Sequence, residues 1–239
     1  MKICIIHLGD LSDCISASSI NKGLRDKYKS PEITWIVSND YAAQLLKYSN
    51  FVKYVFNTSQ VTGDKYDVAI NLSPSIHPSD PILKSDKLFG FYFDRRSNEF
   101  YDVLYGHRKT NMNLFQVYYR LAGMAWGGQG YGLNYYPKTK IKNNRVGIAI
   151  NHANLRNYTI DHLIPKSFRV IVLPYRKNVF RKMDEINICQ QIVTDDVLTM
   201  HLSIYLRKMV HFLETTQQNT SPEFFGSGKI YRILDKFIK

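Results

Sequence analysis

The chain has 239 residues, of which 44% are hydrophobic and 22% are charged, and its formal net charge is +12. This length suits one large α/β domain or two small ones, and no apolar run approaches the ~20 residues that span a bilayer. We expect no signal peptide, since the apolar run after Lys2 is too short for one. The three cysteines are odd in number and far apart, which fits a reducing cytoplasm and argues against a disulfide framework.

The first half of the chain alternates short apolar runs with segments of helical periodicity. Strands are predicted at four such runs, residues 3–8, 33–37, 52–56 and 67–72. Helices are predicted over 40–48 and over 16–29, where Ile20, Leu24 and Tyr28 are spaced by four. This βαβαβ order predicts a parallel sheet with helices on its faces.

The middle and the second half are predicted with the same rules. Residues 74–108 are less regular, with a strand predicted at 87–94, and a helix follows over 111–123. The glycine-rich segment 126–137 is the candidate interdomain linker or flexible loop. Further strands are expected at 146–151, 168–174, 188–194 and 210–214, and helices at 198–209 and 227–239.

The positive charge has several interpretations. Lysine and arginine are dense at 95–109 and 166–182, and a basic surface serves nucleic acid, anionic lipid or phosphorylated small molecules. Scattered lysines that only solvate the surface are an equal alternative. We expect no nucleic-acid partner, because no recognition module is present and the aromatic residues fall in core-like strands.

Two segments, 7–25 and 193–203, place polar side chains where an apolar strand gives way to a helix. Ligands of open α/β sheets bind beyond the carboxyl ends of the strands, which is where these turns lie. The first turn carries four small or acidic residues, Gly9, Asp10, Ser12 and Asp13. A carboxylate held there can take a proton from a hydroxyl, and the alternative is that Asp10 or Asp13 only caps the helix.

The second turn contains Asp196 and, five residues later, His201. A histidine and the amides of a helix N-terminus suit a pyrophosphate, and a carboxylate suits the hydroxyls of a ribose or sugar. The alternative for His201 is a core histidine on a helix face. The seven histidines lack the spacing of metal ligands, so no metal site is predicted.

The opening, MKICIIHLGDLSDCISASSINKGLRDKYKSPEITWIV, resembles the start of the family 9 glycosyltransferases, the lipopolysaccharide heptosyltransferases. The resemblance places Asp13 on the family's general base, with Ser12 in place of the usual glycine. The run DVAINLSPS (67–75) is similar to a further family segment. The turn at 196–203 is similar to the family's D-T-G-P-M-H-L-A turn, which receives the sugar nucleotide, with Val197-Leu198 in place of Thr-Gly.

The resemblance implies an α/β fold of two Rossmann-like domains facing a cleft, the GT-B architecture, with a reduced C-terminal domain. Residues 1–137 would be the acceptor domain and 138–239 the nucleotide-sugar domain. It implies bacterial lipopolysaccharide biosynthesis: a heptose or related sugar passes from a nucleotide donor such as ADP-heptose to a glycan acceptor, with inversion and without cofactor or metal. Arg156 stands at the family's phosphate-binding lysine, so the donor ligands would be Arg156, Asp196, Met200 and His201.

Two further expectations follow from the resemblance. The chain is shorter than members of this family, and Ser12 and Val197-Leu198 replace residues usual in it. These differences support an alternative, a non-catalytic sugar-nucleotide-binding or assembly protein derived from this family. The implied location is cytoplasmic, with peripheral contact at an anionic inner membrane, where each basic residue is worth ~1 kcal/mol. The residues expected to make that contact are Arg95, Arg96, Arg108 and Lys109. The oligomeric state is left open.

Overall fold

The structure is a computed structural model of the chain. The residues that it describes are 1–60, 64–77, 79–93, 97–104, 112–150, 160–174, 178–213 and 230–232. The chain divides into two compact units, unit 1 over Met1–Tyr135 and unit 2 over Tyr136–Lys239. The roles predicted for the two domains stay predictions.

Unit 1 is built on a five-stranded sheet in the order β3-β2-β1-β4-β5, and every neighbouring pair is parallel. Its strands are β1 Lys2–His7, β2 Glu32–Val37, β3 Tyr54–Asn57, β4 Tyr66–Asn71 and β5 Ser85–Gly90. The central strand β1 is buried from Ile3 to His7, because parallel strands in the middle of such a sheet are covered on both faces. The predicted α/β class with a parallel sheet is confirmed.

Five helices accompany this sheet in the described part of unit 1. They are α1 Leu11–Ala17, α2 Ile20–Tyr28, α3 Asp40–Leu46, α4 Ser97–Leu104 and α5 Leu114–Leu121. Two of them begin at asparagine caps. The Asn39 side chain accepts from the first amides of α3, and Asn113 forms a capping box with Gln116 at the start of α5. Local sequence therefore fixes where these helices start.

The helix predicted over 16–29 is confirmed over Ile20–Tyr28. Its start is wrong, because residues 16 and 17 end the separate helix α1 and the two helices meet at Ser18. The Ser18 hydroxyl donates to the carbonyl oxygen of Ile15 over 2.6 Å. Serine side chains that bond the preceding turn compete with the helical ladder and favour a break. The face predicted from Ile20 and Leu24 is nevertheless buried in α2.

Strand β5 ends at Gly90, four residues before the predicted end at 94. Gly90 has a φ of 101°, and a Cβ there would lie 1.9 Å from the carbonyl oxygen of Asn71. Only glycine adopts this conformation at such a close approach, so the strand stops where the chain turns. Helix α4 then lies within 74–108, the stretch predicted to be less regular.

The predicted linker 126–137 contains the division between the units, but its middle belongs to unit 1. Tyr131 and Leu133 are buried, and the Gly132 amide donates to the Ser18 hydroxyl over 3.2 Å. A Cβ at Gly132 would lie 2.1 Å from the Ser18 carbonyl oxygen. The prediction of a flexible glycine loop is therefore wrong for this part, because the missing side chain is what lets it pack against the break between α1 and α2.

Unit 2 has a second parallel sheet, in the order β10-β9-β8-β6-β7. Its strands are β6 Arg145–Ala149, β7 Arg169–Val172, β8 Gln191–Thr194, β9 Met209–Phe212 and β10 Ile230–Arg232. Its described α-helices are α6 Val179–Asn187 and α7 Val197–Tyr205. Each strand is short, and the sheet has the same parallel pattern as in unit 1.

Two predicted helices of unit 2 are corrected by the structure. The helix predicted over 227–239 is wrong at 230–232, which pair with β9 as a parallel strand; the rest of that segment lies outside the described residues. A short apolar run fits either period, and here strand pairing decides. The helix predicted over 198–209 ends at Tyr205, because Arg207 has a φ of 57° and a left-handed residue ends a helix.

Replacing Gly132 with alanine should lower the free energy of unfolding by about 1–3 kcal/mol, because a Cβ in that position overlaps the backbone at Ser18. Urea unfolding of the variant measures the change. Gly130→Ala is the matched control, since no atom lies within 4 Å of a Cβ at Gly130. Equal stability of the two variants would show that the segment does not pack as described.

Candidate functional site

Strand order reverses in unit 1 between β1 and β4, which are neighbours although β2 and β3 lie between them in sequence. Ligands of open α/β sheets bind beyond the carboxyl ends of the strands at this switch point. A cavity of about 160 Å³ lies there. Its lining residues are His7, Leu8, Gly9, Asp13, Leu72, Ser73, Pro74, Ser75, Leu104 and Tyr118. Topology and cavity therefore identify the same site, and Asp13 is in it.

Asp13 is the third residue of α1 and lines the cavity. Burial, together with the nearby charge of Asp10, raises the pKa of Asp13 from its ordinary value of 3.8 to about 6. Asp10 stands at the N-cap position, and within the described residues its side chain makes no capping hydrogen bond. The helix-cap alternative therefore has no support at Asp10, and Asp13 has the proton affinity of a general base that works near neutral pH.

His7 closes one side of the cavity and is neutral at pH 7. Its side chain is buried, and that burial lowers its pKa to about 4. The Gly9 amide donates to His7 Nδ1 over 3.3 Å. A Cβ at Gly9 would lie 2.9 Å from His7 Cε1 and 3.7 Å from Asp13 Oδ2. The absence of a side chain at Gly9 is therefore what brings the imidazole and the carboxylate close to each other.

The wall between the ends of β1 and β4 is fixed by side-chain hydrogen bonds. The Leu8 amide donates to Ser73 Oγ over 2.6 Å, and the Ser73 amide donates to Asn71 Oδ1 over 2.9 Å. The ring of Tyr118, from α5, lies 6.0 Å from the His7 ring. These contacts join two strands and a helix, so the cavity has a rigid frame.

Unit 2 has an equivalent switch point between β6 and β8, and Asp196 begins α7 just beyond β8. Its Oδ2 accepts from the Thr199 amide over 3.0 Å and from Lys182 Nζ over 2.6 Å. Burial opposes ionisation of Asp196, but the Lys182 ammonium and the hydrogen bonds from Thr199 outweigh it and hold the pKa below its ordinary value. Asp196 is thus a stable anion that caps α7.

Sequence reasoning missed Lys182, the partner of this carboxylate. Lys182 lies on the buried face of α6 between Val179 and Ile186 and is 5% exposed. A lysine among apolar residues at helical spacing is the signal that could have identified it, since lysine is almost never fully buried unless it is paired. Sequence reasoning also missed three residues of the cavity. His7 is the last residue of the apolar strand β1, Ser73 follows β4, and Tyr118 lies on the apolar face of α5.

Met200 and His201 are fully buried inside α7. Burial lowers the pKa of His201 to about 4, against the opposing charge of Asp196. The imidazole is therefore neutral and lies in the core of unit 2. Direct contact of either side chain with a donor stays a prediction, and it requires that a buried group become accessible.

The other predicted residues are placed as follows. Ser12 is partly buried, and its carbonyl oxygen accepts from Ser16 Oγ over 3.1 Å. Arg156 lies outside the described residues, as do the four residues of the expected membrane contact, Arg95, Arg96, Arg108 and Lys109. In the described part of the chain, no three His, Cys, Asp or Glu side chains cluster as metal ligands. None of the described helices has both the length and the apolar character to cross a membrane.

No protein-family model matches the sequence, and no curated protein matches it. The fold, in contrast, matches solved structures over almost the whole chain. The heptosyltransferase WaaC from E. coli, solved with ADP, has a TM-score of 0.63 and 12% identity, covering 97% of this chain and 91% of its own. The E. coli ADP-heptose lipopolysaccharide heptosyltransferase II has a TM-score of 0.64 and 15% identity, covering 98% and 91%.

A glycosyltransferase family 9 protein from Veillonella parvula gives a third match, with a TM-score of 0.63 and 12% identity, covering 97% of this chain and 86% of its own. The chain therefore has the fold of the family 9 glycosyltransferases. Among these, the neighbours from E. coli are heptosyltransferases. The resemblance stated from the opening sequence is confirmed at the level of the fold.

Replacing Lys182 with methionine should destabilise the protein by about 1–3 kcal/mol, because it leaves a partly buried carboxylate without its cation. Without Lys182 the pKa of Asp196 should rise. The destabilisation is therefore largest at neutral pH and fades as pH falls toward the lowered pKa that Asp196 has beside Lys182. Urea unfolding at pH 3 and pH 7.5 measures both effects. Lys65→Met is the control, since Lys65 and Asp86 are about 60% exposed and exposed pairs contribute little to stability. A loss at Lys182 no larger than at Lys65 would contradict the pairing.

Replacing Asp13 with asparagine should stabilise the fold at neutral pH. A carboxyl whose folded pKa is raised weakens the fold once it ionises, so the penalty is absent below pH 3.8 and complete above about 6. We expect a gain of about 1–3 kcal/mol at pH 7.5, discounted for partial exposure, and only a small fraction of it at pH 4. Urea unfolding at both pH values checks this, and a variant that is less stable at pH 7.5 would contradict it.

Proposed function

We propose that the chain belongs to the family 9 glycosyltransferases and transfers a heptose or related sugar from a nucleotide donor to a glycan acceptor, with inversion. One observation supports this most strongly. Asp13 lies in a cavity at the switch point of unit 1 and has a pKa of about 6, within a fold shared with heptosyltransferases. At neutral pH most of this carboxylate is ionised and still has a high proton affinity, as a general base requires.

In the proposed reaction Asp13 removes the proton of an acceptor hydroxyl as its oxygen attacks the anomeric carbon. A new C–O bond forms on one face of the sugar while the bond to the nucleoside diphosphate breaks on the other. A single displacement of this kind inverts the anomeric centre. The diphosphate leaves with the bonding electrons, and protein cations stabilise the charge that develops on it.

The donor is proposed to bind to unit 2, at the switch point where α7 begins. Asp196 uses one oxygen, Oδ2, for Lys182 and Thr199, and its side chain is 40% exposed. Its second oxygen, Oδ1, takes part in neither bond, so we propose that it accepts from a hydroxyl of the donor. Arg156 is proposed to hold the diphosphate with paired hydrogen bonds, in the position of the family's lysine.

ADP-heptose is the proposed type of donor, since the solved neighbours include a heptosyltransferase named for ADP-heptose and another with bound ADP. The acceptor is proposed to be a glycan at the cytoplasmic face of an anionic membrane. Arg95, Arg96, Arg108 and Lys109 would contribute weak, reversible attraction there. A non-catalytic relative would bind the donor without turnover, and the experiment on Asp13 separates the two.

Replacing Asp13 with asparagine should lower kcat/KM for sugar transfer by about 10²–10⁴-fold, because the base is lost. In the unmodified protein, kcat/KM should fall as pH drops below about 6, where Asp13 becomes protonated. Both effects are measured by assaying sugar transfer from ADP-heptose between pH 5 and 8, with the release of ADP as the signal.

Asp10→Asn is the matched control for this experiment. It removes the charge that helps to raise the pKa of Asp13, so transfer should persist and its acid limb should move to lower pH. Full transfer by the Asp13→Asn variant would exclude Asp13 as the base. Donor binding without transfer in every variant, the unmodified chain included, would instead support the non-catalytic alternative.

A further inference from the structure

The cavity beside Asp13 offers a hydrogen-bond donor as well as an acceptor. His7 closes β1, is 3% exposed and lines the cavity together with Asp13. His7 Cε1 and Asp13 Oδ2 both lie within 4 Å of one point, the Cβ position at Gly9. The imidazole and the carboxylate are therefore close enough for one small ligand in the cavity to contact both.

The Gly9 amide donates to His7 Nδ1 over 3.3 Å. From this contact we assign the neutral ring the tautomer that is protonated at Nε2. Burial keeps the imidazole neutral, with its pKa lowered to about 4. At neutral pH an uncharged imidazole and a carboxylate thus line the same cavity.

We propose that His7 is a specificity-determining residue of the acceptor site: its Nε2–H donates to one oxygen of a vicinal diol while Asp13 accepts from the neighbouring hydroxyl. The proposal rests on the proposed function and names the acceptor class as a neutral sugar ring with two adjacent hydroxyls. His7 orients the ring, and Asp13 removes the proton from the hydroxyl that attacks.

A diol fits this pair better than an anion does. A hydroxyl both donates and accepts, so it satisfies the carboxylate on one side and the N–H on the other. A phosphate offers mainly acceptor oxygens and brings its charge toward the ionised Asp13, which costs free energy at close range. The cavity of about 160 Å³ can hold one six-membered ring.

The test uses cis-cyclohexane-1,2-diol as the probe and reads the imidazole nitrogens of His7 by ¹⁵N NMR of the full chain. In the free protein, His7 should show the Nε2–H form. The diol should shift the Nε2 signal, and cyclohexanol should bind about tenfold more weakly because it lacks one hydrogen bond. Inorganic phosphate at the same concentration should shift the signal less than the diol does. An Nδ1–H form, or a response to phosphate as large as that to the diol, would overturn the proposal.

Two variants distinguish the contribution of the N–H hydrogen-bond donor of His7 from that of its ring shape. His7→Gln keeps an N–H donor and should keep the preference for the diol over cyclohexanol. His7→Phe keeps a ring and should lose that preference, as seen from the probe's own signals in saturation-transfer NMR. His77→Gln is the control, since His77 is an exposed histidine of the same unit outside the cavity. Equal preference in the Gln and Phe variants, with folding unchanged by circular dichroism, would remove His7 from recognition.

Assays of sugar transfer distinguish a failure of this inference from a failure of the proposed function. In transfer assays His7→Phe should raise KM for the acceptor by about tenfold while the acid limb set by Asp13 stays near its position in the unmodified protein. Transfer that depends on Asp13 but is identical in the Gln and Phe variants would overturn the role of His7 alone. Diol binding that depends on His7 in a chain without transfer activity would overturn the proposed function alone.

Discussion

The site in unit 1 depends on one constraint, which is that a carboxylate is held partly out of water at the end of the central strand. The connection from β1 to α1 is only three residues long, so Asp13, in the first turn of α1, lies close to the end of β1. Gly9 removes the side chain that would otherwise separate Asp13 from His7. The buried sheet and the hydrogen bonds of Ser73 hold this arrangement against the free energy that favours hydration of the carboxylate.

Each unit places an aspartate at the start of a helix that follows a strand at its switch point, and the two aspartates have opposite properties. Burial, with a smaller contribution from the charge of Asp10, raises the pKa of Asp13. Asp196 lies against the Lys182 ammonium and the first turn of α7, and its pKa is lowered. A group that must accept a proton needs the first environment, and a group that must stay charged needs the second. Neighbouring charge, more than residue type, therefore assigns their chemical roles.

Much of this arrangement follows from short-range sequence patterns. Apolar runs predict the strands of unit 1, and the turn after β1 points to Asp13 because ligands gather at the ends of parallel strands. The elements that sequence reasoning missed depend on distant partners. At the helix break, Ser18 accepts a hydrogen bond from Gly132, more than a hundred residues later in the chain. The burial of Lys182 is accounted for by its ion pair with Asp196. Residues of β10 form a strand because they pair with β9. Periodicity within a short window carries no information about such partners.

The proposed role of Asp13 requires that this carboxyl remain protonated to unusually high pH. Titration of the aspartate side-chain carboxyl carbons by ¹³C NMR, with Asp13→Asn used to assign the signal, measures this directly and needs neither donor nor acceptor. We expect one aspartate signal with a midpoint near pH 6 that is lost in the variant. A midpoint for Asp13 at its ordinary value of 3.8 would contradict this role, because the carboxylate would then be a solvated anion rather than a base held in a cavity.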